Sequence, residues 1–331
     1  MSDDVALRAG APGPRTLADL LGVPAGTLGS LGFGVSGVVM PGIDEDTALA
    51  CLAAAWEHGL RWFDTAPMYG DGRGEVLLGR FLADKPRDSY VLSSKVGRLL
   101  RPDAAQAAGL SQAWVYDFSA DGVRRSLDES LARLGTDRID AVFVHDPEDR
   151  EDQVLTQTWP TVARWRDEGT VRAVGIGMQL ADQMTRYVER LDLDLLLVAG
   201  RYTLVDPGAA DTLLPACLRR GVRVLAAEAL HAGLARGARH PHFNYRPVPG
   251  VIRERVDRIA QVCAEHGVDL EAAALQFPLT HPAVDLLLTG PETTDQLEQN
   301  LAQLATPVPG ALWRDLQAQG LLPLDVPVPV A

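Results

Sequence analysis

IDAVFVH (139–145), TQTWPTVARWRDEG (156–169), VRAVGIG (171–177) and LDLLLVA (193–199) decide the fold. The first, third and fourth are short, nearly unbroken apolar runs, the signature of strands buried on both faces in a parallel sheet. The second is an amphipathic segment closed by Gly169, the pattern of a helix with a C-terminal stop. The same alternation runs outward in both directions. Upstream lie LGSLGFGV (28–35), LRWFDT (60–65) and SYVLSSK (89–95); downstream lie VRVLAAE (222–228) and VDLLLTG (284–290). Helical patterns separate them. DEDTALACLAAAWEHG carries Asp44 as N-cap and Gly59 as stop, and SADGVRRSLDESLARLG carries Ser119 and Gly135. DTLLPACLRRG, PGVIRERVDRIAQVCAEHG and TTDQLEQNLAQL follow, with a short helical stretch at Ala311–Gln319. Strand then helix, eight times, predicts a (β/α)8 barrel of the TIM type. A doubly wound sheet is the rival, but LGFGVSG is not followed by a helix opening at its last glycine, as a dinucleotide fingerprint requires. The chain reads as one domain over 1–331, with a surface tail from about 307.

Composition narrows the function. The chain has 331 residues, 47% of them hydrophobic, and 31 Lys and Arg against 44 Asp and Glu leave a net charge of −13. That balance argues against nucleic acid, whose affinity rests on clustered cations. One cofactor phosphate remains compatible, because backbone N–H groups can hold it. Cys51, Cys217 and Cys263 are far apart and odd in number, so buried free thiols are expected rather than a disulfide frame or a zinc cage. MSDDVALRAGAPGPR lacks the apolar core of a signal peptide, and no apolar run reaches the roughly 20 residues that span a bilayer. The expectation is a cytoplasmic protein without membrane contact.

Two connectors, 97–118 and 229–250, are long and follow strand C-terminal ends, the functional face of such a barrel. Polar residues at strand ends are informative because barrel interiors are apolar. Asp64 closes the second strand, with Tyr69 in the loop beyond it; Lys95 ends the third strand and His145 the fourth. Together they suit proton transfer to oxygen while a hydride moves at carbon. An ammonium at Lys95, oriented by Asp64, favours the phenolate of Tyr69 and lowers its pKa. His145 can hydrogen-bond a substrate oxygen. Each residue also has an ordinary reading: a loop cap, a packed ring, a surface charge and a core imidazole.

FDTAPMYGDGRGEVLLG (63–79), SSKVG (93–97) and VHDPE (144–148) resemble the aldo-keto reductase superfamily. VAGRYTLVDP (198–207), FNYRPVP (243–249) and EAAALQFPLTHPAV (271–284) resemble its D-threo-aldose, L-fucose and pyridoxal dehydrogenase branch. The resemblance implies a nicotinamide cofactor extended across the C-terminal rim, no metal, and a small carbonyl or sugar-like substrate. It places the catalytic tetrad on Asp64, Tyr69, Lys95 and His145. Cofactor contacts are expected at Gln179, Arg201, Tyr202, Gly290, Glu292, Thr293, Gln296 and Asn300. Substrate contacts are expected at Met68, Trp114, Glu228, His231, Phe243 and Tyr245. Two segments depart from the pattern. GIGMQ (175–179) replaces Gly-x-Ser-Asn, so Gln179 stands in for an amide that grips the nicotinamide, in a shifted position. AAEALHAG (226–233) replaces a Gly-Gly-x-Phe-Asn-Ser-Gly run and brings Glu228 and His231. No basic residue lies between 289 and 300, and Glu292 would repel a 2′-phosphate, so NAD(H) is expected over NADP(H). The alternatives are a cofactor-sensing subunit without catalysis and a metal-dependent barrel hydrolase. The hydrolase needs several strand-end His, Asp or Glu ligands, and Lys95 counts against it.

Overall fold

The computed structural model describes residues 16–103, 113–231, 233–236, 242–243 and 246–328. Eight parallel strands close into a barrel in chain order: β1 Leu31–Gly34, β2 Trp62–Asp64, β3 Val91–Val96, β4 Ala141–His145, β5 Ala173–Met178, β6 Leu195–Ala199, β7 Arg223–Ala227 and β8 Val284–Thr289. Six lie within an expected run, and β3 and β5 each extend one residue beyond theirs, to Val96 and Met178. β1 pairs with β8 through Leu31 opposite Leu287, and this pairing completes the ring.

The period of two along each strand sorts side chains between two cores. Trp62, Val91, Phe143, Leu195, Leu197, Leu225, Leu286 and Leu288 share one buried cluster inside the barrel. Leu17, Leu21 and Val23 belong to that cluster, so the N-terminal helix Leu17–Leu21 packs on the same core. Their neighbours Phe33, Phe63, Leu92, Val142, Val144 and Val174 join the larger cluster between sheet and helices. The alternation continues upward. Trp62 and Asp64 are two residues apart, as are Val91, Ser93 and Lys95 and also Phe143 and His145. The polar members therefore stand on the inner face, above the apolar ones.

Helix ends follow local chemistry. Asp44 accepts from the Thr47 N–H at 2.7 Å, and Ser119 accepts from the Gly122 N–H at 3.0 Å. Gly135 closes its helix in the left-handed conformation. The helices Arg73–Leu82, Ala181–Arg190 and Leu270–Gln276 were not among the sequence expectations. None has a side-chain cap hydrogen bond; the first two open on Gly72 and Leu180, and Asp269 precedes the third without capping it. The long connectors also hold structure that periodicity did not suggest. Arg98–Leu100 pairs antiparallel with Trp114–Tyr116, and His242–Phe243 with Arg246–Pro247. The three cysteines are buried free thiols. Among the described residues, no helix is long and apolar enough to cross a membrane.

Candidate active site

Register brings the polar strand ends together. Asp64 lies opposite Ser93 in the β2–β3 pair, and Lys95 lies opposite Phe143 in the β3–β4 pair. Asp64 is 3% exposed and Lys95 is 2% exposed, so this charge pair is shielded from water. The Lys95 ammonium donates to Asp64 Oδ2 at 2.5 Å and to the Thr65 carbonyl at 3.0 Å. The other carboxylate oxygen accepts from Ser93 Oγ at 2.7 Å, and Ser93 Oγ accepts from the Trp62 indole at 3.0 Å. Asp64 is thus fixed on both oxygens, and it fixes the lysine.

Tyr69 is presented by a sharp loop. Gly70, Asp71 and Gly72 have φ of 58°, 52° and 90°, a left-handed run that favours glycine. The Tyr69 carbonyl then accepts from the Gly74 N–H at 3.0 Å, where the next helix begins. Within that helix the fully buried Glu75 accepts from Ser94 Oγ at 2.7 Å and from Arg133 Nε at 2.6 Å, which locks the helix to β3. The result places the Tyr69 ring centroid 4.8 Å from Lys95 Nζ. The His145 imidazole stands edge-on to that ring, with centroids 6.1 Å apart.

The electrostatics correct one expectation. The Lys95 ammonium does pull the Tyr69 phenol down, but burial pushes it up more strongly and Asp64 adds to the rise, so its pKa lies above the ordinary value. Burial also disfavours the Lys95 ammonium, yet Asp64 and Tyr69 together outweigh it and hold the lysine above its ordinary pKa. His145 is pushed well below the imidazole range by burial, with the Arg98 and Lys95 cations adding to the effect. The set is therefore a neutral phenol, a charged lysine and a neutral imidazole at pH 7.

The remaining candidates divide. Gln179 donates to the two Glu228 carboxylate oxygens at 3.4 and 3.2 Å, joining the two segments that depart from the family pattern. Glu228 and His231 both have positive φ, 61° and 43°. A side chain in that region costs about 1–2 kcal/mol, which glycine avoids and asparagine softens. His231 is 2% exposed and bonds Thr203 Oγ1 through Nε2 at 2.6 Å, so it braces the loop from inside. Tyr202 is 1% exposed and packs tilted against Phe277 in the outer core, with centroids 5.0 Å apart. Arg201 serves the backbone, donating to the Gln179 carbonyl at 2.7 Å and to Asp206 at 2.8 Å.

At the β8 end, Gly290 packs so closely on the loop after β1 that a Cβ there would meet Ser36 Oγ at 2.9 Å. Thr293 caps the helix Thr294–Ala305 by accepting from the Gln296 N–H at 3.3 Å. Gln296 returns to Glu292, accepting from its N–H at 3.0 Å and donating to its carboxylate at 3.4 Å. Asn300 is buried, and its side-chain oxygen accepts from Arg236, which also pairs with Glu271. Met68 and Trp114 are half-buried beside the tetrad and meet the same residue, Arg98. Tyr245 and the Phe243 side chain lie outside the described residues.

Arg98 and Asp146 escaped the sequence reading as site residues. Their signal was position alone: Arg98 follows Lys95 by three residues, and Asp146 follows His145 directly. Several buried polar atoms at strand tops also have no hydrogen-bond partner among the described residues: Thr65 Oγ1, His145 Nδ1 and Thr289 Oγ1. Such atoms are costly unless something satisfies them, and a ligand rich in polar groups on this rim would do so.

A family model described as the aldo/keto reductase family matches residues 28–318. The chain belongs to the aldo/keto reductase family. D-threo-aldose 1-dehydrogenase from a Pseudomonas species is 40% identical, covering 94% of this chain and 98% of the relative. Pyridoxal 4-dehydrogenase of Microbacterium luteolum is 35% identical, covering 89% and 95%. Among solved structures, the holo form of an aldo-keto reductase from Bacillus halodurans superposes with a TM-score of 0.72 at 23% identity, over 90% of this chain and 94% of the other, and supports the barrel. As a member of the aldo/keto reductase family, the protein is a nicotinamide-dependent oxidoreductase of carbonyl and alcohol substrates.

Proposed function

We propose that this aldo/keto reductase is an NAD-dependent dehydrogenase of an aldose or similarly hydroxylated substrate, with Tyr69 as its general acid and base. The observation that carries the proton-transfer role is the buried Asp64–Lys95 pair, 2.5 Å apart, set against the Tyr69 ring. The two relatives named above, which act on an aldose and on pyridoxal, support the substrate class.

A bound nicotinamide accepts the hydride in the oxidation direction and supplies it in reduction. The chain's own residues handle the proton. In oxidation of a lactol, Tyr69 takes the hydroxyl proton as the C–H bond gives up its hydride, and a lactone forms. In reduction, the neutral phenol gives its proton to the carbonyl oxygen. Lys95 stabilises the phenolate form, Asp64 holds Lys95, and His145 hydrogen-bonds the substrate oxygen. Gln179 would hold the carboxamide of the cofactor. Its Nε2 is engaged by the Glu228 carboxylate, which can only accept, so its carbonyl is the end left for the carboxamide NH2. Turnover of D-threo aldoses with NAD, against pyridoxal and simple aldehydes, tests the substrate reading; activity confined to the simple aldehydes would reject it.

The choice of NAD(H) rests on Glu292, a carboxylate braced by Gln296 at the start of the helix Thr294–Ala305. Such a group repels a 2′-phosphate and accepts hydrogen bonds from free ribose hydroxyls, as acidic residues do in other NAD sites. About 1.4 kcal/mol of repulsion gives a tenfold preference. Glu292→Arg is expected to move the ratio of dissociation constants toward NADP(H) by about tenfold or more. Fluorescence titration with both reduced cofactors reads this, and tighter NADPH binding by the unmodified protein would overturn it.

A further inference from the structure

Gly97 has a φ of 103°, and a Cβ there would lie 2.2 Å from the Phe118 ring. This turn sends the chain from the top of β3 into the hairpin Arg98–Leu100 with Trp114–Tyr116. Arg98, its first residue, is 7% exposed. Its guanidinium lies over the Trp114 ring at 4.5 Å and the Tyr116 ring at 5.3 Å, with Met68 against one edge. Its Nη2 donates to Asp146 Oδ2. Asp146 is itself held in an uncommon backbone state, with φ of 44° and its N–H bonded to the Gly177 carbonyl at 2.9 Å. That geometry sets the same Oδ2 atom 3.7 Å from His145 Nε2. One carboxylate oxygen thus stands between the guanidinium and the imidazole.

We propose that Arg98 is a positioning residue: by holding the Asp146 carboxylate it keeps His145 an uncharged imidazole beside Tyr69. The groups that face His145 make this a balance of charge. Lys95 from β3 is cationic and paired with Asp64 from β2, Tyr69 faces the imidazole edge-on from the loop after β2, and Arg98 is cationic and paired with Asp146. Glu148, exposed on the same loop, adds negative charge near Asp146. With both ion pairs intact the four paired charges cancel, and burial and the two cations keep the imidazole neutral. Without the guanidinium, a half-buried carboxylate remains 3.7 Å from His145 with no cation on it, which favours a proton on the imidazole. The aromatic faces of Trp114 and Tyr116 hold Arg98 over the site, which explains why the hairpin belongs to the catalytic rim.

The inference rests on His145 acting with Tyr69, but its test reads the imidazole in cofactor-free protein and needs no turnover. Histidine-labelled full-length protein is titrated by NMR, with His145→Gln assigning the signal. In the unmodified protein the His145 midpoint is expected below the ordinary imidazole value. In Arg98→Leu it is expected to rise by about one to three units, the usual effect of a newly uncovered opposite charge at this distance. Arg98→Leu/Asp146→Asn should return it toward the starting value, and Arg98→Lys should hold it low. Arg98→Gln, which keeps a donor without a charge, serves if the leucine variant does not fold. The same ionisation should enter the kcat/KM profile of the charge-removing variant and vanish in the double variant. A His145 midpoint that stays put when the Arg98 charge is removed would overturn the proposal. So would a rise that persists without the Asp146 carboxylate. Failure of Tyr69→Phe to lose activity would reject the tetrad reading while leaving these titrations interpretable on their own.

Discussion

Tyr69→Phe is expected to lower kcat for both oxidation and reduction by roughly 10²- to 10⁴-fold, the usual contribution of general acid–base catalysis. Cofactor affinity should stay within a few-fold, because the ring and its packing remain. The phenol is the group in the proposed site that exchanges a proton with substrate, and the Lys95 charge beside it favours its ionised form. His145 is neutral in this structure and lies edge-on to the ring. The raised Tyr69 pKa adds a pH signature, whose first cause is burial, opposed by Lys95. The phenol stays protonated through neutral pH, so reduction should hold steady there and fall once pH passes the phenol pKa. Oxidation needs the phenolate and should climb toward alkaline pH. Steady-state profiles in both directions check this. Near-normal turnover by the Phe variant, or an oxidation rate that is flat from neutral to alkaline pH, would contradict the assignment.

Lys95→Met is expected to damage stability and chemistry together. The Lys95–Asp64 pair has side-chain exposures of 2% and 5%, so removing the cation strands a carboxylate in a dry interior. Breaking a buried pair from one side costs about 3–5 kcal/mol. The Lys95 pKa is raised in the folded protein, because Asp64 and Tyr69 overcome the burial that opposes the charge. The sign of the pH effect follows. The lysine's titration-linked stability is fully present below the unfolded lysine value of about 10.4 and is lost as pH rises through the higher folded value. Urea denaturation of both proteins across that range should show the difference narrowing only at alkaline pH. Lys95→Met/Asp64→Asn should recover part of the stability, because no carboxylate is left uncovered. Chemistry should not recover, since the phenol has lost the cation that favours its ionised form. A variant as stable as the parent, with an unmoved alkaline limb, would remove Lys95 from the site.

The sequence by itself determined the barrel. Apolar runs such as VFV at 142–144 and LLLV at 195–198 have few stable homes other than a parallel sheet covered by helices, and eight of them close a ring. It also determined which strands carry the polar tetrad residues, because a charged residue ending an apolar run breaks a pattern that is otherwise strict. Caps such as Asp44 and Ser119 were legible because their chemistry is local. Tertiary structure decided whatever depended on distant partners. Tyr202 and Asn300 sit in family-like text and His231 in a segment that departs from it, and Phe277, Arg236 and Thr203, each well separated along the chain, turn them inward. The sign of the Tyr69 pKa was likewise undecided by residue type. A lysine neighbour lowers it and burial raises it, and only the packing around the ring shows that burial wins. Arg98 and Asp146 are 48 residues apart in sequence, and no local rule pairs them. Their meeting follows from the adjacency of β3 and β4 in the barrel, which puts the loops beyond both strands over the same few ångströms of rim.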